Sequence, residues 1–431
     1  MSDYILEGVG GGYVVVNTYG DYNLSIARLD IGFLGEEKRH LGWINEESAL
    51  NHVFNVTACQ AEKCTSAELK VGGAGILVYF FNKELDSAEN RKALLAMAAE
   101  HMAKLSNTSI LCMRGIGTTK ADLKALREAS QEAPVAEAKA DSPGKTRTRS
   151  SSEMFECPVP LQMLEATDDV ISKCGSYSAF GAIKCLIRSK GWTKPTITIL
   201  GITDVSAELY WLLTKKGYDV MTSSGNDSDF TKHKIPNNRV IPWGEHGPLD
   251  VTTDILLLCC CSFSEILTAE VVDKLQCSAL LSLHESVLPS ASEEKENVLA
   301  ELDRAGIFDF CEGLVDVGSL MKVYSMAGGA STTYKFADAQ NVGMVLMQKM
   351  LHLDGIVKQY DPEEKQKFFE ELVGSSQKTD SVNPIQDIWD GVNISEIAVG
   401  VASTEMTEWM WNKAKSMCPA YRLKKKGKQV N

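Results

Sequence analysis

The sequence predicts an α/β chain of two domains, the second built on a doubly wound parallel sheet. Three observations predict it. The 431 residues are enough for two separate buried cores. In the second half, short apolar runs alternate with segments of helical period, the pattern of a parallel sheet covered by helices on both faces. Thr196-Ile-Thr-Ile-Leu-Gly-Ile-Thr-Asp-Val-Ser-Ala-Glu-Leu209 then joins a strand to a helix through a glycine turn, as a βαβ unit begins.

Taken in order, residues 11–35 read as β structure: Tyr13-Val-Val-Val-Asn17 is rich in branched residues, and Leu24-Ser-Ile-Ala-Arg-Leu-Asp-Ile31 alternates. A helix runs from Asn45 to about Lys63, because Leu50, Val53, Phe54 and Ala58 recur at helical spacing. Gly75–Phe81 is an apolar strand, Ser87–Leu105 a helix rich in Ala, Leu and Met, and Ile110–Met113 a short strand. Between about Ser130 and Ser152 the composition turns to Glu, Ala, Pro, Lys and Ser, too poor in apolar area to offset the entropy of ordering. This stretch is expected to be a disordered linker or insertion, with Thr146–Ser152 as a modification site. Beyond it the expected elements are helix 179–189, strand 196–200, helix 205–216, strand 219–222, strand 255–261, helix 268–274, strand 279–283 and helix 293–305. Residues 335–372 and 397–416 are expected to be helical. The chain thus divides into domains at 1–129 and 156–395, a linker at 130–155, and a C-terminal helix with a basic tail at 396–431.

The composition narrows the function. A formal charge of -13 argues against broad nucleic-acid binding, which needs a basic face; only the tail Arg422-Leu-Lys-Lys-Lys-Gly-Lys428 departs from this. No run approaches the roughly 20 apolar residues of a membrane span. The N-terminus has neither the basic start nor the apolar run of a secretory signal, so a cytoplasmic location and reduced cysteines are expected. The twelve cysteines include Cys259-Cys260-Cys261 but no Cys-x-x-Cys, so strand packing is favoured over zinc and no metal is expected.

The turn after Thr196–Leu200 has the form of a Rossmann-like nucleotide site. Such a site needs a glycine at the turn, a second glycine where backbone amides meet the pyrophosphate, and a small third residue. Gly201 and Ser206 suit the first and third places, but Thr203 holds the second. Asp204 at the helix start can serve as an N-cap yet would repel a dinucleotide. Val220-Met-Thr-Ser-Ser-Gly225 ends without the carboxylate that holds ribose hydroxyls about 20 residues on.

Taken together, the motifs resemble those of the glutamate/leucine/phenylalanine/valine dehydrogenase superfamily, especially its leucine and phenylalanine branch. The resemblance rests on the order and spacing of Ala61-Glu-Lys-Cys64, Gly72-Gly-Ala-Gly75, Gly115-Ile-Gly-Thr118, Gly175-Ser-Tyr-Ser-Ala-Phe-Gly181, Gly201-Ile-Thr-Asp-Val205, Leu283-His-Glu-Ser-Val-Leu288 and Val315-Asp-Val-Gly-Ser319. It implies an N-terminal dehydrogenase-like domain that binds substrate and forms oligomers, a Rossmann-like domain, and a C-terminal helix near 402–416. It implies a substrate contact at Lys63, beside which Gly72, Gly73 and Arg114 are expected to line the substrate site; the cofactor contacts are expected at Ser178, Gly201, Thr203, Asp204, Val205, Ser223, Glu285 (or Ser286) and Asp316. The family's catalytic lysine and aspartate fall on Gly75 and Gly115, so both are lost.

The expectation is therefore a pseudoenzyme that binds a ligand, regulates or serves as structure, with no cofactor. Lys63 and Arg114 suggest an anionic small molecule in the interdomain cleft, and the family implies a homo-oligomer. The alternative is an active NAD- or NADP-dependent oxidoreductase with relocated groups, for which Lys70 or His284 with Glu285 are the candidates. A scaffold acting through 130–152 is a third class.

Overall fold

The computed structural model describes residues 2–9, 11–19, 24–34, 42–43, 45–66, 69, 71–104, 109–132, 168–224, 227–242, 251–259, 267–283, 292–310, 314–327 and 334–359. Two compact units emerge. Met1–Ala61, Lys70–Asp169 and Lys322–Thr333 make the first; Glu62–Leu69, Val170–Met321 and Tyr334–Asn431 make the second.

The first unit is a mixed six-stranded sheet. β1 (Ser2–Val9) and β2 (Gly12–Tyr19) form an antiparallel hairpin whose turn uses Gly11 at φ 77°. β5 (Gly72–Phe80) lies antiparallel to β2 and parallel to β3 (Leu24–Leu34). The other edge of β3 takes β6 (Ser109–Arg114) along Leu24–Leu29 and the two-residue β4 (Gly42–Trp43) at Phe33–Leu34.

Helices cover both faces. Val14, Val16, Ala27, Leu29, Ile31, Ala74, Ile76 and Val78 pack with Leu94, Leu95, Ala98 and Ala99 of α2 (Ala88–Lys104) and with Leu123 and Leu126 of α3 (Lys120–Glu132). On the opposite face Val15, Leu77 and Tyr79 meet Ala49 and Val53 of α1 (Glu46–Ser66), with Trp43. Every residue of β5 is buried, so this strand reads as an unbroken apolar run rather than an alternating one.

The second sheet is parallel throughout. Its order is β11 (Phe308–Phe310), β10 (Gln276–Ser282), β9 (Thr252–Leu258), β7 (Thr196–Leu200), β8 (Asp219–Ser223). Val240 extends it by a single parallel bridge to Thr222. Counted with that bridge, the order is the 3-2-1-4-5-6 of a dinucleotide-binding fold, with its outermost strand reduced to one residue. The helices of this unit are α4 (Asp168–Ser189), α5 (Asp204–Lys215), α6 (Asp227–Lys232), α7 (Ala269–Val272), α8 (Ser292–Arg304), α9 (Val317–Ala327) as far as Met321, and α10 (Phe336–Gln359). α4 and α10 approach closely because Gly181 faces the Gln340 backbone and Gly343 faces the Ser178 backbone.

The expected elements are present with shifted ends. β9 begins at Thr252 rather than 255, and α4 begins at Asp168 rather than 179. β1, α3, α6, α9 and β11 were not foreseen, and α3 continues to Glu132, through the first residues of the expected linker. The rest of that linker, the helix expected at 397–416, the end of 335–372 and the basic tail lie outside the described residues.

One tight contact sets the height of α1 over the sheet. A Cβ on Gly73 would run into the backbone of Thr57 and Ala61. Gly73→Ala should therefore cost about 1–3 kcal/mol or more by overpacking, read as a lowered melting temperature. Alanine at Gly191, where φ is 69° but no atom lies within 4 Å, should cost only the strain of its backbone.

Candidate functional site

The two glycines at the expected catalytic places are closed in from opposite directions. Gly75 lies between Asn17 on β2 and Arg28 on β3, in the row facing α1. A Cβ there would stand 2.7 Å from Thr57 Oγ1, 2.9 Å from Val53 Cγ2 and 3.0 Å from the Val53 carbonyl. Thr57 is fixed in that position because its hydroxyl donates to the Val53 carbonyl at 2.7 Å. At Gly115 a Cβ would meet the Asp30 carboxylate itself, with the Leu29 carbonyl at 2.6 Å and Arg28 Cγ at 2.7 Å. Neither glycine has a left-handed φ, so neighbouring atoms rather than backbone conformation account for both.

Asp30 is the centre of this arrangement. It is 1% exposed, and Arg28 is 8% and His52 2% exposed. Arg28 Nε donates to Asp30 Oδ1 at 2.9 Å, the Ile116 amide donates to the same oxygen at 2.6 Å, and His52 Nε2 lies 2.9 Å from Oδ2. Burial by itself pushes the Asp30 carboxyl up; the Arg28 charge, His52 and the Ile116 amide outweigh it and hold it at about 2, below the usual 3.8. Such a group is ionised at neutral pH but is a weak base.

The loop after β6 is held on its other side as well. Arg91 on α2 forms a bidentate pair with Asp86 and donates to Asp122 at 2.8 Å and to the Gly117 carbonyl at 3.1 Å. Asp122 accepts the Thr119 amide at 2.8 Å, and Gly117 turns at φ 64°. Gly115 donates to the Leu29 carbonyl at 2.8 Å, and Ile31 donates to that of Ile116 at 2.8 Å. The loop is thus stitched to β3.

In the second unit, Lys63, 2% exposed, pairs with Asp316 at 2.7 Å. The structure therefore joins an expected substrate residue to an expected cofactor residue. A buried ammonium needs an anion, and here the chain supplies it. Asp316 sits in a short turn, Leu314–Asp316, held by Ser178, whose hydroxyl donates to the Val315 carbonyl at 2.7 Å and accepts from the Gly318 amide at 3.1 Å.

Gly201 makes the expected turn at φ 93°. The N-cap of α5 is Thr203 rather than Asp204, which becomes the first helical residue. Thr203 and Ser206 form a reciprocal box: the Ser206 amide donates to Thr203 Oγ1 at 3.2 Å and the Thr203 amide to Ser206 Oγ at 2.7 Å. The Thr203 and Ser206 amides are thus already bonded. Asp204 is loosely paired with Lys232 at 3.5 Å and His233 at 3.7 Å. The Val205 carbonyl accepts from Ser176 at 2.8 Å, and the Ser223 hydroxyl donates to the Ile241 carbonyl at 2.8 Å. Asp229, not singled out in the sequence, brings a carboxylate within 2.9 Å of the Ser224 hydroxyl at the end of β8.

Gly72 opens β5 opposite Ser25. Arg114 shares its row with Leu29, on the face turned to α2 and α3, and so stands apart from the Gly75 row. Glu285, Ser286, His284 and Lys70 lie outside the described residues. Sequence reasoning missed Arg28, Asp30 and His52; two charges at i and i+2 in an apolar strand were the available signal. Among the described residues no group of three or more His, Cys, Asp or Glu is placed to hold a metal, and no helix is long and apolar enough to cross a membrane.

No protein family is matched by the sequence, and no curated protein matches it either. Solved structures do. The L-tryptophan dehydrogenase of Nostoc punctiforme is 14% identical with a TM-score of 0.52, covering 83% of this chain and 90% of its own. The hetero-hexameric glutamate dehydrogenase of Thermus thermophilus, in its Leu-bound form, is 11% identical with a TM-score of 0.54, covering 83% of each chain. The glutamate dehydrogenase of Plasmodium falciparum is 8% identical with a TM-score of 0.51, covering 93% of this chain and 79% of its own. At such identities the likeness is one of fold.

The Asp30 pairings give a definite pH dependence. Because its carboxyl is held below the usual value in the folded chain, its contribution is complete above the unfolded value and is lost as pH falls toward 2. Asp30→Asn should cost about 3–5 kcal/mol at neutral pH by breaking a buried pair. It should also flatten the loss of stability between about pH 4 and pH 2 in urea titrations. An unchanged acid slope in the variant would remove Asp30 from the account.

Proposed function

We propose that this chain, which has the two-domain fold of the amino-acid dehydrogenases, is a non-catalytic member of that fold that acts as a structural or regulatory protein. The observation that carries this reading is the closure around Gly75 and Gly115. Oxidative deamination needs a cation beside the reacting carbon and a base near neutral pH, both within reach of substrate. At position 75 the backbone and side chains of α1 take the space, and at position 115 the Asp30 carboxylate takes it.

The rival reading, an active NAD- or NADP-dependent oxidoreductase with relocated groups, has Arg28 and Asp30 in its favour. They put a cation and a carboxylate beside the two glycines. Their burial weighs against it: at 8% and 1% exposure they neutralise one another away from any substrate. The contacts at Ser178, Thr203, Ser206 and Ser223 likewise support a nucleotide fold kept as scaffold, since each hydroxyl already serves the protein. The residues present do not suit a dinucleotide pyrophosphate: the Thr203 amide is taken, and Asp204 adds negative charge at the helix start. An anionic small ligand at Lys63 would have to displace Asp316, which favours a structural or regulatory role over a receptor for small carboxylates. Self-association is assigned to β1, an edge strand whose outer backbone groups can pair with a second copy.

The decisive experiment incubates the purified chain with L-leucine, L-phenylalanine, L-glutamate or L-tryptophan and either NAD or NADP. No absorbance of reduced cofactor is expected, and neither dinucleotide should raise the melting temperature saturably. Gly75→Lys with Gly115→Asp should lower stability without creating activity. Turnover by the parent chain would overturn the reading.

A further inference from the structure

Positions 30 and 115 compete for one place. The Asp30 carboxylate stands where a side chain at Gly115 would begin, and Gly115 is not one of the glycines with left-handed φ. Glycine at 115 is therefore required by its neighbours, the Asp30 carboxylate together with the Leu29 carbonyl at 2.6 Å and Arg28 Cγ at 2.7 Å, and not by the turn. Three donors surround the place: the Arg28 guanidinium at 2.9 Å, the Ile116 amide at 2.6 Å and His52 Nε2 at 2.9 Å. They come from β3, from the loop after β6 and from α1. Each side chain of the set is nine-tenths or more buried.

Those donors are what a carboxylate requires, irrespective of the atom that carries it. One cation, one imidazole and one amide satisfy both oxygens from fixed directions, and charge-assisted bonds of this kind are the strong ones. The geometry points to a built carboxylate seat in the first unit, formed by Arg28, His52 and the Ile116 amide, which position 30 fills and which position 115 or a free small carboxylate can fill in its stead. Asp30 is a positioning residue in this arrangement: it fixes α1 and the 115–118 loop through His52 and Ile116. The reading of Gly115 as a vacated acid position enters only in naming the alternative carboxylate. The seat itself stands on the contacts.

Two arms test it. Asp30→Ala removes a group that formate matches in size and charge. The variant should melt several degrees below the parent, and formate should raise it saturably toward the parent value, acetate less and chloride at equal ionic strength not at all. Asp30→Asn, which keeps the seat filled, and the parent should not respond. If Asp30→Ala does not accumulate in folded form, refolding yield in formate against chloride gives the same comparison. In the second arm, Gly115→Asp alone should fold poorly or melt lower, whereas Asp30→Ala with Gly115→Asp should recover part of that loss, the Leu29 carbonyl still crowding position 115. Formate that acts on all variants alike, or on none, together with additive losses in the double variant, overturns the proposal. Amino-acid turnover by the parent would sink the non-catalytic reading and leave the seat standing; failure of the formate arm would do the reverse.

Discussion

A buried carboxylate on the middle of β3 organises the first unit. Asp30 is reached by a guanidinium from its own strand, by an imidazole from α1 and by an amide from the loop after β6, so three separate elements are referred to one atom pair. Taking these charges out of water costs several kcal/mol per ion, so the network adds little net stability compared with an apolar core of the same shape. What it adds is placement. The elements cannot shift without leaving a charge unpaired in the interior, and that is the costly event.

The same device recurs in the second unit with different permanence. Lys63 is met by Asp316, and the start of α5 carries Asp204. Asp30 is 1% exposed with short contacts from three donors, whereas the Asp316 side chain is 18% and the Asp204 side chain 42% exposed. Exposure decides how tightly each is bound in place: the Asp204 pairs at 3.5 and 3.7 Å lie in the range where solvent leaves ~0–1 kcal/mol. Aspartates of the chain itself thus stand beside Lys63 and at the start of α5, which supports the structural or regulatory role proposed above.

Much of the architecture was legible in the sequence because it rests on local pattern. β7, β8 and α5 fall within a residue or two of the expected ends, since branched strands, the Gly201 turn and a helical period are short-range signals. The glycines at 75 and 115 were also visible, but not their cause. Gly115 and Asp30 are brought together by strand register, and the Ile116 contact spans 86 positions. Arg28 and Asp30 looked like the polar half of an alternating strand, when in fact both faces of β3 are covered by helices. The sequence suggested Asp204 as the N-cap because that residue type caps well; Thr203 takes the place instead, and Ser206, three residues on, completes the box through its hydroxyl. Ser178 and Ser223 carried the right chemistry for ligands, and only the fold reveals that backbone carbonyls already hold their hydroxyls.

The glycines at 75 and 115 are not independent of one another. α1 carries His52, which Asp30 holds, with Val53 next to it and Thr57 and Ala61 about one and two turns further on, and these three press on Gly75 and Gly73. Lifting α1 to admit a side chain at 75 would pull His52 from Asp30. Moving Asp30 aside to admit a side chain at 115 would loosen the helix that closes 75. Because Gly73 meets α1 backbone rather than a flexible side chain, the helix cannot accommodate by a change of rotamer. The interior therefore has one self-consistent packing in which both places are filled by the protein. Side chains at both places would need changes on β3, β5 and the loop after β6 together, with each single step leaving either an overlap or an unpaired charge.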